Sequence, residues 1–295
     1  MNDLDVALIK SQVLSEALPY IRRFAGSTFV IKHGGNAMAG GAIDEAAALD
    51  SFARDVVLLA SVGIKVVVVH GGGPQIGEML GRLGIASQFV NGLRVTDSAT
   101  LEVARMVLMG KVNPEIVGAI NKFAPLAIGL SGADTGLIVA SRAQGDLGFV
   151  GEVQSVQPDL IIRLLEQGLI PVVATVAVDV MGQAYNINAD TVAGAIAGAI
   201  GAEKLIYLTN VEGIYANWPE QDSLIRRASS AEVGSLVASG AISEGMIPKL
   251  TSCLHALESG VSSAHILDGR VEHSLLLEIF TDSGVGTMVT REEAS

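Results

Sequence analysis

The chain has 295 residues, 49% hydrophobic and 17% charged, enough for one large α/β unit or two lobes with a substantial core, and too apolar to stay unfolded. A formal net charge of −12 excludes nucleic-acid binding as the main activity, because there is no basic excess to neutralise phosphates. The apolar stretches are far shorter than the about 20 residues of a spanning helix, the start MNDLDVALIK has no signal-peptide pattern, and the single Cys253 rules out an internal disulfide, so a cytoplasmic, membrane-free protein is expected.

In chain order, Leu4, Leu8, Val13, Leu14, Leu18, Ile21 and Phe24 predict an amphipathic helix over 4–24, kinked at Pro19. It precedes the α/β repeat and has no strand partner, so it is expected to pack on another subunit. Strands are predicted at 28–31, 65–70, 170–176, 204–208 and 263–267. Helices are predicted at 49–60, from Pro74 to Leu83, at 99–109 behind a Thr96/Asp97 cap, from Pro158 to Gly168, at 190–200 with Asp190 as N-cap, at 233–238 and at 247–258. A hairpin is expected at 145–153. The alternation predicts an α/β fold, a three-layer αβα sandwich around a mostly parallel sheet. The lobe boundary is placed near 180, giving an N-terminal helix (1–26), a first lobe (27–180) and a second lobe (181–295).

Five segments have the residue types for handling an anion. Lys32-His33-Gly34-Gly35-Asn36 follows a strand, placing a cation beside bare backbone N–H groups. His70-Gly71-Gly72-Gly73-Pro74 joins a Val-rich strand to a helix whose first-turn N–H groups are unsatisfied. It matches neither a Walker loop nor G-x-G-x-x-G. Gly245-Met246-Ile247-Pro248-Lys249 puts a lysine in a helix's first turn, where the dipole disfavours a cation unless an anion sits nearby. Asn186-Ile187-Asn188-Ala189-Asp190 offers a carboxylate able to orient a lysine, and Arg94 in Asn91-Gly92-Leu93-Arg94-Val95-Thr96 can grip a substrate carboxylate. Taken singly, each segment reads equally well as an ordinary turn, cap or surface charge. Taken together they suggest phosphoryl transfer between two lobes. The five histidines show no zinc-ligand spacing, and no metal site is expected.

The order of these motifs, with Thr209-Asn210-Val211-Glu212-Gly213 between the last two, resembles the acetylglutamate kinases of the amino acid kinase family over about residues 27–290. The resemblance implies the two-lobed amino acid kinase fold and ATP-dependent phosphorylation of the γ-carboxylate of N-acetyl-L-glutamate, the second step of arginine biosynthesis. By the motif match, Lys32 and Lys249 neutralise the transferring phosphoryl group and Asp190 holds both lysines. Gly71, Gly72, Arg94, Asn186 and Asn188 serve the substrate. Lys32, Gly34, Gly35, Thr209, Asn210, Val211, Gly213, Tyr215, Gly245, Met246 and Lys249 serve the nucleotide, with Mg²⁺ carried on its phosphates. His33 and Asn210 depart from the family pattern; a charged His33 would alter the phosphate site, and Asn210 removes a carboxylate near the nucleotide.

The N-terminal helix and the segment from Ala264 to Thr287 resemble those of the arginine-inhibited members, which form hexamers as trimers of dimers. The match implies an inhibitory L-arginine site at Tyr20, His265, Glu278 and Gly284, with Glu278 pairing the guanidinium. Some photosynthetic members also bind a PII-type signalling protein, a partner the resemblance leaves open. Two alternatives remain at this level: another acid kinase of the family, or a non-catalytic arginine-sensing module. The presence of Lys32, Asp190 and Lys249 disfavours the module.

Overall fold

The structure, a computed structural model, describes residues 3–34, 45–90, 92–217, 220–240, 242, 246–282 and 284–291. Its elements run α1 (Asp3–Phe24), β1 (Thr28–His33), α2 (Glu45–Ser61), β2 (Lys65–His70), α3 (Gly73–Arg82), β3 (Phe89–Val90), β4 (Leu93–Arg94), α4 (Ser98–Val107), α5 (Asn113–Asn121), β5 (Ala127–Ser131), β6 (Ile138–Arg142), β7 (Val150–Val156), α6 (Asp159–Glu166) and β8 (Ile170–Ala174). They continue with β9 (Val176–Val178), β10 (Ala184–Ile187), α7 (Ala189–Ala199), β11 (Lys204–Thr209), β12 (Ile214–Tyr215), β13 (Leu224–Ile225), β14 (Arg227–Ser229), α8 (Ser230–Ser239), α9 (Ile247–Glu258), β15 (Ser263–Asp268), α10 (Ser274–Ile279) and β16 (Thr287–Thr290).

Eight strands form one sheet in the order β14-β16-β15-β11-β1-β2-β8-β5. All its neighbours are parallel except β15 and β16. The central strands are nearly continuous aliphatic runs because both faces are covered. Phe29, Ile31, Val66, Val68, Val172 and Ile206 face one layer with α2, α3, α4, α5 and α10. Val30, Val67, Val69, Val173, Leu205 and Tyr207 face the other, with α6, α7, α8 and α9. This is the expected αβα sandwich.

β6, β7, β9 and β10 close into a small barrel beside the sheet. The expected strand over 170–176 is therefore two strands: it breaks at Thr175, and β9 leaves the sheet for the barrel. The expected 145–153 hairpin is likewise part of a larger one, β6 and β7 pairing antiparallel from Ile138↔Val156 to Arg142↔Gly151. Two cap assignments also change. Asp97 alone caps α4, its side chain accepting from Thr100 N at 2.7 Å, while Thr96 donates to the Arg94 carbonyl at 2.9 Å. Asn188, not Asp190, caps α7, its Oδ1 accepting from Asp190 N at 2.8 Å and Thr191 N at 3.4 Å. Asn188 is the last residue in extended conformation, so only its side chain can turn back onto the open N–H groups; Asp190 is already inside the helix.

α1 is helical through Pro19, and Leu4, Leu8, Val13, Leu14 and Leu18 are all more than half exposed in the single chain. Its last turn docks, with Phe24 edge-on to Phe29 at 5.4 Å between centroids. No helix among the described residues is long and apolar enough to cross a membrane.

Candidate active site

β1, β2, β8 and β11 run parallel, and in register His33 pairs with His70 and Leu208, and His70 with Ala174. Their carboxyl ends thus meet at one edge of the sheet, beside the point where the strand order reverses about β1. A crevice opens there, as parallel sheets of this kind require. The cleft holds about 270 Å³ and is lined by Lys32, Gly34, Gly71, Gly72, Gly73, Arg94, Asn186, Asn188, Asp190, Thr209, Asn210 and Lys249, with Thr175, Phe89, Leu108 and Val150 among its walls.

Its centre is a buried carboxylate between two ammonium groups. Lys32 Nζ lies 2.9 Å from Asp190 Oδ1, and Lys249 Nζ donates to Oδ2 at 3.0 Å. Lys32 comes from the end of β1, Asp190 from the first turn of α7 and Lys249 from the first turn of α9. Burial alone would raise the Asp190 pKa, but the two lysines outweigh it and hold the carboxyl below the usual range. The dipole conflict expected at Lys249 is answered by this carboxylate. Asp190 therefore orients both lysines, as expected, without capping its helix.

The backbone of Asp190 is held as well. Ser252, one turn after Lys249 on α9, donates to the Asp190 carbonyl at 2.6 Å, and the Tyr207 hydroxyl lies 2.6 Å from the Ser252 hydroxyl. α9 thus grips the start of α7 at two points. Sequence reasoning missed Tyr207 and Ser252, since a contact across 62 positions leaves no local pattern.

On the opposite wall, α3 begins at Gly73 with Pro in its first turn and no side-chain cap, so its N–H groups open toward the cleft. A Cβ on Gly72 would come within 2.8 Å of Leu108 Cδ2, so a side chain there would push Leu108 aside. Arg94 Nη2 donates to the Gly73 carbonyl at 2.9 Å, Nη1 donates to Ser87, and the guanidinium stacks 4.6 Å over Phe89. These contacts pin the arginine at the cleft rim.

The nucleotide segment reaches this cleft through Thr209 and Asn210 only. Val211, Gly213, Tyr215 and Met246 do not line it: Gly213 is buried under β16, where a Cβ would meet Thr287 Oγ1 at 2.3 Å, and Tyr215 donates to Glu212 at 3.2 Å. Gly35 and Gly245 lie outside the described residues. The condition under which His33 would alter the site, a charged ring, is disfavoured by its surroundings. Burial first, then the nearby His70 and Lys32, push its pKa down to about 3, and its ring packs 4.6 Å from Phe52. Asp190 is the one carboxylate on the described cleft wall, and both its oxygens face lysines. No group of three or more metal-binding side chains occurs among the described residues.

A second polar cluster gathers the other predicted residues. His265 Nδ1 lies 2.7 Å from Glu278 Oε1, and Glu278 Oε2 accepts from Val285 N at 2.7 Å and Gly286 N at 3.2 Å. Gly284, with φ of +60°, leaves space that a Cβ would take to within 2.6 Å of Glu278 Oε2. Tyr20 of α1 donates to Asp282, two residues from Gly284. Sequence analysis read Lys204 only as a strand residue. Its Nζ is buried 2.9 Å from His265 Nε2 and 5.2 Å over the Phe24 ring, and burial pushes its pKa down to about 8. The parallel register Lys204↔Ser263 brings these side chains together.

The model of the amino acid kinase family matches residues 27–268. Acetylglutamate kinase from Thermosynechococcus vestitus is 54% identical over 286 residues, covering 96% of this chain and 95% of that protein. The acetylglutamate kinase of Symbiobacterium thermophilum is also 54% identical, over 294 residues, covering 97% of this chain and 99% of that protein. Among solved structures, N-acetylglutamate synthase from Neisseria gonorrhoeae, complexed with coenzyme A and N-acetyl-glutamate, superposes with a TM-score of 0.84 at 28% identity, covering 96% of this chain but 64% of the synthase. Carbamate kinase from Giardia lamblia, bound to AMP-PNP, shares the fold at a TM-score of 0.66 and 18% identity, covering 91% of this chain and 99% of that one. With the expected sandwich, the cleft at its strand ends and these matches in agreement, the chain belongs to the amino acid kinase family, and within it to the acetylglutamate kinases.

Proposed function

We propose that this chain transfers the γ-phosphoryl group of ATP to the γ-carboxylate of N-acetyl-L-glutamate in the cytoplasm, giving N-acetyl-L-glutamyl 5-phosphate and ADP in the second step of arginine biosynthesis. The observation that carries the reading is Asp190 holding Lys32 and Lys249 beside the glycine turn of α3. The acceptor lies on the 27–180 lobe, with Arg94 gripping a carboxylate and Asn186 and Asn188 reaching it from the facing strand and helix start. ATP lies on the 181–295 lobe along Thr209 and Asn210, with Gly34 and Lys249 beside its phosphates.

The substrate carboxylate is ionised at neutral pH, so no protein base is required. One of its oxygens attacks the γ-phosphorus as the bond to the β,γ-bridging oxygen breaks, and that electron pair leaves with ADP. Catalysis is then positioning and charge neutralisation. Lys32 and Lys249 meet the negative charge on the moving phosphoryl oxygens, while the Gly72 backbone supplies an N–H donor; that of Gly71 is turned to the His33 carbonyl at 3.4 Å. Mg²⁺ bound with ATP would neutralise charge on the phosphates, held by them and not by a protein cage. The assembled lysine pair speaks against a purely sensing module, which would need no such arrangement.

A coupled ADP-release assay with N-acetylglutamate, glutamate, aspartate, carbamate and a nucleoside monophosphate tests the reading. Turnover confined to N-acetylglutamate is expected; turnover with aspartate but not N-acetylglutamate overturns it, and arginine binding without any ATP turnover would favour the sensing module.

The second cluster is proposed as an inhibitory L-arginine site involving Tyr20, His265, Glu278 and Gly284, with Glu278 pairing the guanidinium. The uncovered apolar residues of α1 support its use in joining dimers into a hexamer. Deleting residues 1–26 is expected to turn hexamers into dimers in sedimentation velocity and to weaken arginine inhibition. A truncated protein that still sediments as a hexamer would contradict that role.

A further inference from the structure

One buried pair directly beneath the glycine turn has no part in the chemistry above. His70 closes β2 and is fully buried; its Nδ1 lies 3.0 Å from the Gly71 carbonyl. Asn113 opens α5, also buried, with its Nδ2 3.0 Å from His70 Nε2, 2.9 Å from the Val172 carbonyl and 3.4 Å from the Leu130 carbonyl.

These contacts fix every proton. The two strand carbonyls can only accept, so the nitrogen of the Asn113 amide faces them, one of its two protons serving the carbonyls, chiefly that of Val172 at 2.9 Å, and the other pointing at His70 Nε2. Nε2 must then be the acceptor, which leaves the imidazole proton on Nδ1, donating to Gly71 O. The ring has to stay neutral for this, and burial pushes its pKa down to about 4. In a planar trans peptide the C=O of one residue and the N–H of the next point in opposite directions. The Gly71 carbonyl faces inward onto the buried imidazole, so the Gly72 N–H faces outward, and Gly72 lines the cleft. Among the described residues that N–H has no acceptor. The approach of Asn113 is built in: the chain passes through a π-bulged turn at Leu108–Val112 before α5. Gly129 on β5 also leaves room for the amide, since a Cβ there would lie 2.0 Å from Asn113 Oδ1.

We infer that His70 and Asn113 are positioning residues, a relay from the β8 backbone that locks one histidine tautomer and thereby aims the Gly72 N–H at charge developing in the cleft. This rests on the phosphoryl-transfer reading of the same site. It predicts a division between two substitutions. His70→Asn keeps an amide donor where Nδ1 stood, and His70→Phe keeps the shape but removes the donor. We expect H70N to hold kcat within about tenfold of the unsubstituted enzyme, and H70F to lose about 10²-fold in kcat with KM for both substrates little changed.

Magic-angle-spinning ¹⁵N spectra of the histidine-labelled full chain, with His70 assigned by its absence from H70N, report the tautomer directly. A neutral ring protonated on Nδ1 is expected. An Nε2-protonated ring, a folded H70F with unchanged kcat, or equal impairment of H70N and H70F would each overturn the inference. Should H70F fail to fold, the spectrum of the unsubstituted chain still decides. The two readings fail differently: a wrong acceptor shows as absent turnover of N-acetylglutamate in the unsubstituted enzyme, whereas a wrong relay shows in the spectrum whatever the acceptor.

Discussion

Lys249→Ala lowers kcat by about 10²–10³ while leaving the fold intact, the loss expected when one preorganised donor to a developing negative charge is removed. The structure separates the two effects. Lys249 is the more exposed of the lysines, its side chain 20% accessible against 10% for Lys32, and Asp190 keeps Lys32 as a partner when Lys249 is gone. Ser252 still holds the Asp190 carbonyl, so α9 stays docked on α7. Steady-state kinetics beside a thermal melt check this. Normal kcat in a folded K249A protein would contradict the assigned role, as would a fall in melting temperature that accounts for the lost activity.

Asp190→Ala acts on both activity and stability. The carboxylate is buried, and its removal leaves two ammonium groups near each other with nothing to neutralise them. Breaking a buried ion pair in this way costs about 3–5 kcal/mol. Activity should fall at least as far as in K249A, since both lysines lose their orientation. The isosteric Asp190→Asn separates charge from shape. The folded pKa of Asp190 is depressed, so its contribution to stability is fully present above the unfolded value of about 3.9 and is lost as pH falls through the folded value. Urea midpoints of D190N should therefore lie below those of the unsubstituted protein at pH 5–8 by a constant margin, and the gap should close in acid, as pH falls below the unfolded value through the lower folded one. A gap that widens in acid would mean that the carboxylate is not the stabilising group.

Much of this arrangement was legible in the sequence because it is local. The Val-rich run of β2, the Pro-started α9 and the glycine turns announce themselves within a few residues, and their alternation implies parallel strands whose carboxyl ends meet. Lys32 sits at the end of β1, and Asp190 and Lys249 in the first turns of α7 and α9, element ends that the local pattern marks. What was missed depends on distance or ambiguity. β5, AIGLS, is short and interrupted by glycine, and β12 and β13 are two residues each. α5 follows α4 through the bulge at 108–112, which spans Gly110, so an end at Met109 was the natural reading. Asn188 and Asp190 are both good capping residues, and only the backbone shows which stands outside the helix. Tyr207 and Lys204 read as strand residues, since nothing in KLIYLT reveals that one hydroxyl braces Asp190 through Ser252 and one ammonium reaches His265.

The most direct test of the central claim is a crystal structure with MgADP, aluminium fluoride and N-acetylglutamate bound together. The account predicts a planar fluoride between the ADP β-phosphate and the acceptor carboxylate, with Lys32 Nζ and Lys249 Nζ both within about 3 Å of its equatorial atoms and Asp190 still between the lysines. Either ammonium turned away from that group, in a closed complex with both substrates ordered, would contradict it.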